Sequence, residues 1–168
     1  MKTKFRHLFT SAGLVALLSI ALLGSSTAAF ADPNGPPREP EGSWLYTVTI
    51  PDFGSFQGVE TYAADGGYSE ADQLSFSPGT VASAGHGAWK SLGGGRFLLT
   101  YVNLTFDKFS TGVPTGTSKV RQTATIDRTG NSYSGSGDFN YFDPDGDPVF
   151  GGTFTITATR ILVEAPGK

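Results

Sequence analysis

The chain of 168 residues contains no cysteine. Disulfides, thiol nucleophiles and cysteine-ligated metal centres are therefore excluded. Histidine is nearly as scarce. Of two in the sequence, only His86 lies beyond the first 31 residues. That leaves no room for a multi-histidine metal site or a histidine dyad in the rest of the chain. Charge is sparse at 16% of residues, and Lys+Arg are outnumbered 12 to 15 by Asp+Glu. No apolar run reaches the ~20 residues of a comfortable bilayer span. No stretch of about ten residues keeps a convincing 3.6-residue period, so long amphipathic helices are not expected. What the chain has in quantity is glycine, with 23, and aromatic side chains, with 13 Phe and 6 Tyr.

The N-terminus reads as a targeting segment. Lys2, Lys4 and Arg6 precede an apolar run from Leu14 to Leu23, and Ala29-Phe30-Ala31 is a small-x-small cleavage pattern. These are the parts of a secretory signal peptide, residues 1–31, cut after Ala31. The expected location is secreted or periplasmic, with no membrane insertion after cleavage. Removing 31 of 168 residues leaves 137, about one domain. Three of the 12 basic residues leave with the signal, so nine face 15 acids and the mature net charge is −6. So acidic a chain is a poor partner for nucleic acid. Residues 32–42 carry Pro33, Pro36, Pro37 and Pro40 and read as a flexible or polyproline-like leader.

From Ser43 the pattern is β. Trp44, Tyr46, Val48 and Ile50 alternate with Leu45, Thr47 and Thr49. Further strands are expected at about 55–63, 68–76, 85–90, 96–106, 119–126, 132–142 and 148–163. The turns between them include Asp65-Gly66-Gly67, Ser77-Pro78-Gly79, Gly93-Gly94-Gly95, Asp127 to Asn131 and Asp143 to Gly146. The last strand is the clearest. Thr153, Thr155, Thr157 and Thr159 share one face, and Phe154, Ile156, Ala158, Arg160 and Leu162 share the other. A threonine-only face meets water and the opposite face meets a core. Tyr133, Gly135, Gly137, Phe139 and Tyr141 form an inward face in the same way. The strand at 96–106 is apolar on both faces, and alternation does not assign its inside.

The fold class expected is all-β, an eight-stranded antiparallel up-and-down β-barrel over residues 43–164 with a short tail at 165–168. Closure removes exposed sheet edges, and a two-sheet sandwich is the alternative. An eight-stranded barrel can just hold one small ligand. Gly135 and Gly137 on the inner face either permit tight coiling or leave interior space.

Gly42-x-Trp44 on the first strand and the lone inward Arg160 on the last resemble the calycin pattern, lipocalin-like proteins above all. In that family the Trp plugs the closed end of the barrel and the Arg packs over it. The resemblance implies that Trp44 and Arg160 close one end here. A cation–π contact would give the arginine a partner; the alternative is that it snorkels to solvent. Three features depart from the family: the disulfide is missing, Glu164 to Lys168 is too short for the flanking helix, and the other loop motifs are not found. Avidin-like barrels share the size and the first-strand Trp, but only Trp89 remains here, against the further tryptophans of a biotin site. Ser132 to Phe139 is similar, more loosely, to strands of allene-oxide-cyclase and dirigent-type barrels.

The function expected is binding of a small hydrophobic or amphipathic molecule, lined by Tyr46, Tyr62, Tyr133, Phe139, Tyr141 and Phe154. No cofactor is implied. The alternatives are a barrel cyclase or isomerase and a solid structural β-domain. For catalysis the candidates are Glu60, inward if Phe56, Gly58, Glu60 and Tyr62 form the buried face, and His86. For a metal they are Asp143, Asp145 and Asp147, spaced as in calcium loops but lacking the glutamate at the twelfth position. A Pro-Asp-Gly hairpin turn explains the same three residues. Asn103-Leu104-Thr105 matches a glycosylation sequon in the middle of a strand.

Overall fold

The computed structural model describes residues 38–76, 81–107 and 112–167. The expected signal peptide, the leader up to residue 37, the Ser77–Gly79 turn and Lys168 lie outside the described residues. The described chain forms nine strands: β1 Gly42–Ile50, β2 Gly54–Tyr62, β3 Gly67–Asp72, β4 Val81–Ala82, β5 Gly85–Gly93, β6 Arg96–Phe106, β7 Pro114–Ile126, β8 Ser132–Phe142 and β9 Pro148–Arg160. All pairings are antiparallel, and β9 returns to β1. Because β6 also pairs with β7, the sheet closes into an eight-stranded barrel.

The eight barrel positions are filled by nine strands because β4 and β5 share one of them, along β6. Ala82 faces Thr105, but His86 faces Val102. The three residues Ser83–Gly85 therefore stand opposite two, Asn103 and Leu104, which is a β-bulge. The bulge is satisfied locally. Ser83 N donates to the Leu104 carbonyl at 2.9 Å, and Leu104 N donates to Ser83 Oγ at 3.0 Å.

The inner face alternates as expected on β1, β8 and β9. Trp44, Tyr46 and Val48 are buried, as are Tyr133 and Phe139, and Phe154, Ile156 and Ala158. On β6 the polar alternation of its neighbour decides the matter. Val120, Gln122 and Ala124 of β7 are buried and stand opposite Tyr101, Leu99 and Phe97. The odd-numbered residues of β6 therefore point inward, and Leu98, Val102 and Leu104 are left exposed.

Several boundaries differ from expectation. The third strand stops at Asp72 rather than 76, because a 3₁₀ turn, Gln73–Phe76, follows. The side chain of Gln73 takes over the ladder there, accepting the Gln57 N–H at 3.0 Å. The strand expected to begin at Lys119 begins at Pro114, since β6 runs long enough to pair its Thr- and Gly-rich start. The last strand ends at Arg160 rather than at 163, with one more backbone bond beyond it, from Ile161 N to the Ser43 carbonyl at 2.8 Å. Leu162, expected on the inner face, is exposed beyond that end. The end of the leader packs against the barrel. Pro40 is fully buried, and Ser91 Oγ bonds Glu39 at 3.0 Å.

Glycine placement follows side-chain volume. A Cβ on Gly137 would meet the Phe154 ring and the Arg121 carbonyl, and one on Gly58 would meet the Tyr46 ring. Gly137 thus leaves no void: the cross-strand phenylalanine occupies its place.

Candidate functional site

The interior divides along its axis. At one end Trp44, Tyr62, Phe97 and Ile126 are each 0–1% exposed. Trp44 meets Tyr133 edge-on at 5.1 Å, and Phe97 meets Tyr62 and Tyr133 at 5.3 and 5.4 Å. Such tilted pairs are the favoured aromatic geometry. The Trp44 indole N–H donates to the Pro40 carbonyl at 2.7 Å. Arg160 lies directly across the ladder from Trp44, its guanidinium 4.1 Å from the ring centroid. Its N–H groups also donate to the carbonyls of Gly130 at 2.8 Å, Glu39 at 3.2 Å and Glu41. Arg160 thus ties the first strand, the β7–β8 turn and the leader together, and this end is solid.

Next to this plug lies a polar layer. Trp44 pairs with Glu60, and Glu60 with Glu70, so two carboxylates point into the barrel side by side. Both are buried. Glu60 accepts the hydroxyls of Tyr68 at 2.9 Å, Tyr62 at 3.3 Å and Tyr133. Burial pushes the Glu60 carboxyl up to about 7; the three hydroxyl donors oppose the rise and the Glu70 charge adds to it. Glu70 is raised too, first by burial, while the Asn103 amide holds it down. It accepts Asn103 Nδ2 at 2.7 Å and the Tyr46 hydroxyl at 2.9 Å. Asn103 Nδ2 also donates to the Ser83 carbonyl at 3.0 Å, and Asn103 Oδ1 accepts Ser118 Oγ at 3.1 Å. The β-bulge is what delivers that carbonyl, since a regular ladder would have turned it into a strand pair. The sequon asparagine is therefore an interior residue with every amide position used.

Beyond this layer the barrel opens into a cavity of about 830 Å³. Its base includes Val48, Tyr101, Asn103, Ser118 and Val120, and its wall and mouth include Phe56, Phe139, Tyr141, Phe150 and Phe154. Phe139, Tyr141 and Phe150 form a three-ring cluster with centroids 5.4 to 6.0 Å apart. Pockets of this size with apolar walls and few polar groups are the usual form of small-molecule sites.

The six aromatics expected to line a ligand divide by height. Phe139, Tyr141 and Phe154 line the cavity. Tyr46, Tyr62 and Tyr133 do not. They point inward as expected but sit lower, where their hydroxyls are bound to Glu70 and Glu60. Glu60 and His86 are not brought together. Glu60 is sealed among tyrosines away from the cavity wall, and His86 is exposed on the outer face of β5. Asp143, Asp145 and Asp147 form a hairpin turn in which Asp143 Oδ1 accepts the backbone N–H groups of Asp145 and Asp147 at 3.0 and 2.9 Å. Among the described residues no three potential ligands converge on a metal position. Sequence reasoning passed over Glu70, Asn103 and Ser118. The signal for Glu70 was available, since Tyr68, Glu70 and Asp72 alternate on β3 as Gly58, Glu60 and Tyr62 do on β2.

Compared with family models, with curated proteins and with solved structures, the chain matches none.

Proposed function

We propose that this protein is a secreted or periplasmic container for a small hydrophobic or amphipathic molecule, held at the open end of the barrel. The observation that carries this reading is the aromatic-walled cavity of about 830 Å³ in a barrel whose other end is solid. A structural β-domain has no need of such a space. The floor of buried, hydrogen-bonded polar groups supports the reading as well, because it gives the cavity a fixed base. The stack of Arg160 on Trp44 supports a lipocalin-like architecture. The test is native mass spectrometry of the protein purified from its own host, with organic extraction, followed by titration with the neutral apolar fluorophore N-phenyl-1-naphthylamine. A co-purifying molecule, or saturable one-to-one binding of the fluorophore that Val120→Phe weakens, is expected. An empty spectrum together with no saturable binding would overturn the proposal.

A further inference from the structure

The cavity is not uniform around its circumference. On the β6–β7 side its lining carries hydroxyls. Tyr101 and Thr105 are inward positions of β6, Ser118 is one of β7, and Tyr141 of β8 stands opposite Ser118 in the ladder. The register shift between Thr105 and Phe106 leaves Thr115 outside the ladder, and its hydroxyl donates to Thr105 Oγ1 at 3.0 Å. In the barrel order β1 and β2 stand across from β6 and β7. The strand residues that line that side are Val48, Ile50 and Phe56, all apolar.

A hydroxyl holds one proton and two lone pairs, so one that is bonded once can bond again, as donor or acceptor. Burial first, then the Glu70 and Asp72 charges, push the Tyr101 hydroxyl upward, and burial and the Asp72 charge do the same to Tyr141. Both therefore stay protonated and able to donate. Charged groups find less. Among the described residues no lysine or arginine lines the cavity to meet an anion. Asp72 lines it but already has an interaction partner, and Asp52 is exposed at the mouth, so neither is a buried carboxylate held ready for a cation. A buried charge without a partner is costly, whereas an uncharged hydroxyl or carbonyl meets groups that bond it.

We infer that the cavity takes an amphiphile with an uncharged, hydroxylated head, a sugar or a polyol, its head against Tyr101, Thr105, Thr115, Ser118 and Tyr141 and its apolar part against β1 and β2. This rests on the container reading, and the experiment separates the two. The purified protein is titrated calorimetrically, at submicellar concentrations, with N-phenyl-1-naphthylamine, decyl glucoside, monodecanoylglycerol, decyl sulfate and decyltrimethylammonium. At least one of the two neutral amphiphiles is expected to bind about tenfold more tightly than either ion, the effect of one poorly partnered charge. The tighter of the two tells a sugar head from a glycerol. The double variant Tyr141→Phe/Thr115→Val keeps the ring and otherwise changes an exposed position. It should weaken that amphiphile about tenfold, the effect of two hydrogen bonds, and weaken the fluorophore less. Thr123→Val, the same kind of change on the outer face of β7, should leave binding intact. Either ion binding as tightly as both neutral amphiphiles would overturn the inference, as would a loss in the double variant no larger than in Thr123→Val. Fluorophore binding with no binding of either neutral amphiphile would overturn this inference alone. No saturable binding of any of the five would overturn the container reading with it.

Discussion

At the Trp44 end of the barrel, inward side chains from several strands touch one another and exclude water. At the Ile50 end Phe53, in the β1–β2 turn, and Val149 and Phe150 of β9 are more than half exposed around an open space. The strands themselves are continuous from one end to the other, so backbone hydrogen bonding does not make the difference. Side-chain volume and the cover across each end do. The closed end has Trp44, Phe97, Tyr62 and Tyr133 converging, with Pro40 and Arg160 laid over them. Toward the open end the rings of Phe139, Tyr141 and Phe150 pack on one another beside the cavity. One half is therefore solid and the other open, the contrast on which the proposed container reading rests.

Truncations should separate the two halves sharply. Trp44→Ala removes a fully buried ring, its bond to Pro40 and the support of Arg160. A loss of about 3–5 kcal/mol is expected, as for other buried large aromatics, read from denaturant unfolding. A loss below about 1 kcal/mol would mean that this end is not the stabilising half.

The layer between the halves should impose a pH dependence. The folded pKa of Glu60 stands near 7, above its ordinary 4.5, so the folded state holds this proton more tightly than the unfolded chain. Below pH 4.5 both states are protonated and stability is unaffected. As pH rises from 4.5 through about 7 the folded state loses ground, by about 3 kcal/mol once the carboxyl is ionised. Glu70, also raised, acts in the same direction. The groups facing Glu60 are Glu70 and the hydroxyls of Tyr62, Tyr68 and Tyr133, and all four tyrosine and glutamate pKa values are pushed upward. The protein is therefore expected to melt higher at pH 5 than at pH 8, with Glu60→Gln flattening much of the slope. A wild-type slope of the opposite sign would place the Glu60 carboxylate in a far better solvated setting than this layer provides.

Arg160→Ala should cost less. Arg160 is only half-buried, so water can reach part of what it leaves, but the cation–π contact and the ties to Gly130, Glu39 and Glu41 are lost together. About 1–2 kcal/mol is expected by thermal melting, with Arg160→Lys recovering the charge but not the fork of carbonyl bonds. Equal stability of the alanine variant and the wild type would show that the leader and the β7–β8 turn do not need this clasp.

How much of this was legible follows from what alternation encodes. Period 2 tells which side of the sheet a residue faces, so Phe154, Ile156 and Ala158 of β9 and Tyr133 and Phe139 of β8 were placed inward from sequence alone. The barrel, with eight strand positions, followed from counting such segments and their turns. Height along the axis is a different quantity. It is fixed by the stagger between strands, which no single strand states. That is why Tyr133 and Tyr141, equivalent in the pattern, end in the plug and the cavity wall respectively. The inside of β6 was hidden because Leu98, Val102 and Leu104 are as apolar as their inward neighbours, and only the register with β7 decides between the faces. The Glu70–Asn103–Ser118 chain joins three strands, and its Ser83 contact depends on a bulge that two short segments in sequence do not announce.

The smallest effect is expected at the mouth. Phe150→Ala deletes a ring that is 59% exposed, and that rests on Tyr141 and Phe139 rather than in the core. Exposed apolar surface contributes little to folding, so the change in unfolding free energy should stay below about 1 kcal/mol. Binding should respond much more, because the same ring forms part of the wall a ligand would contact. Measured side by side on one variant, calorimetric affinity for an amphiphile should fall by about tenfold while the melting temperature hardly moves. A variant whose stability drops as far as that of Trp44→Ala would show that the mouth is part of the core, and the contrast between the two halves would fail at its most exposed residue.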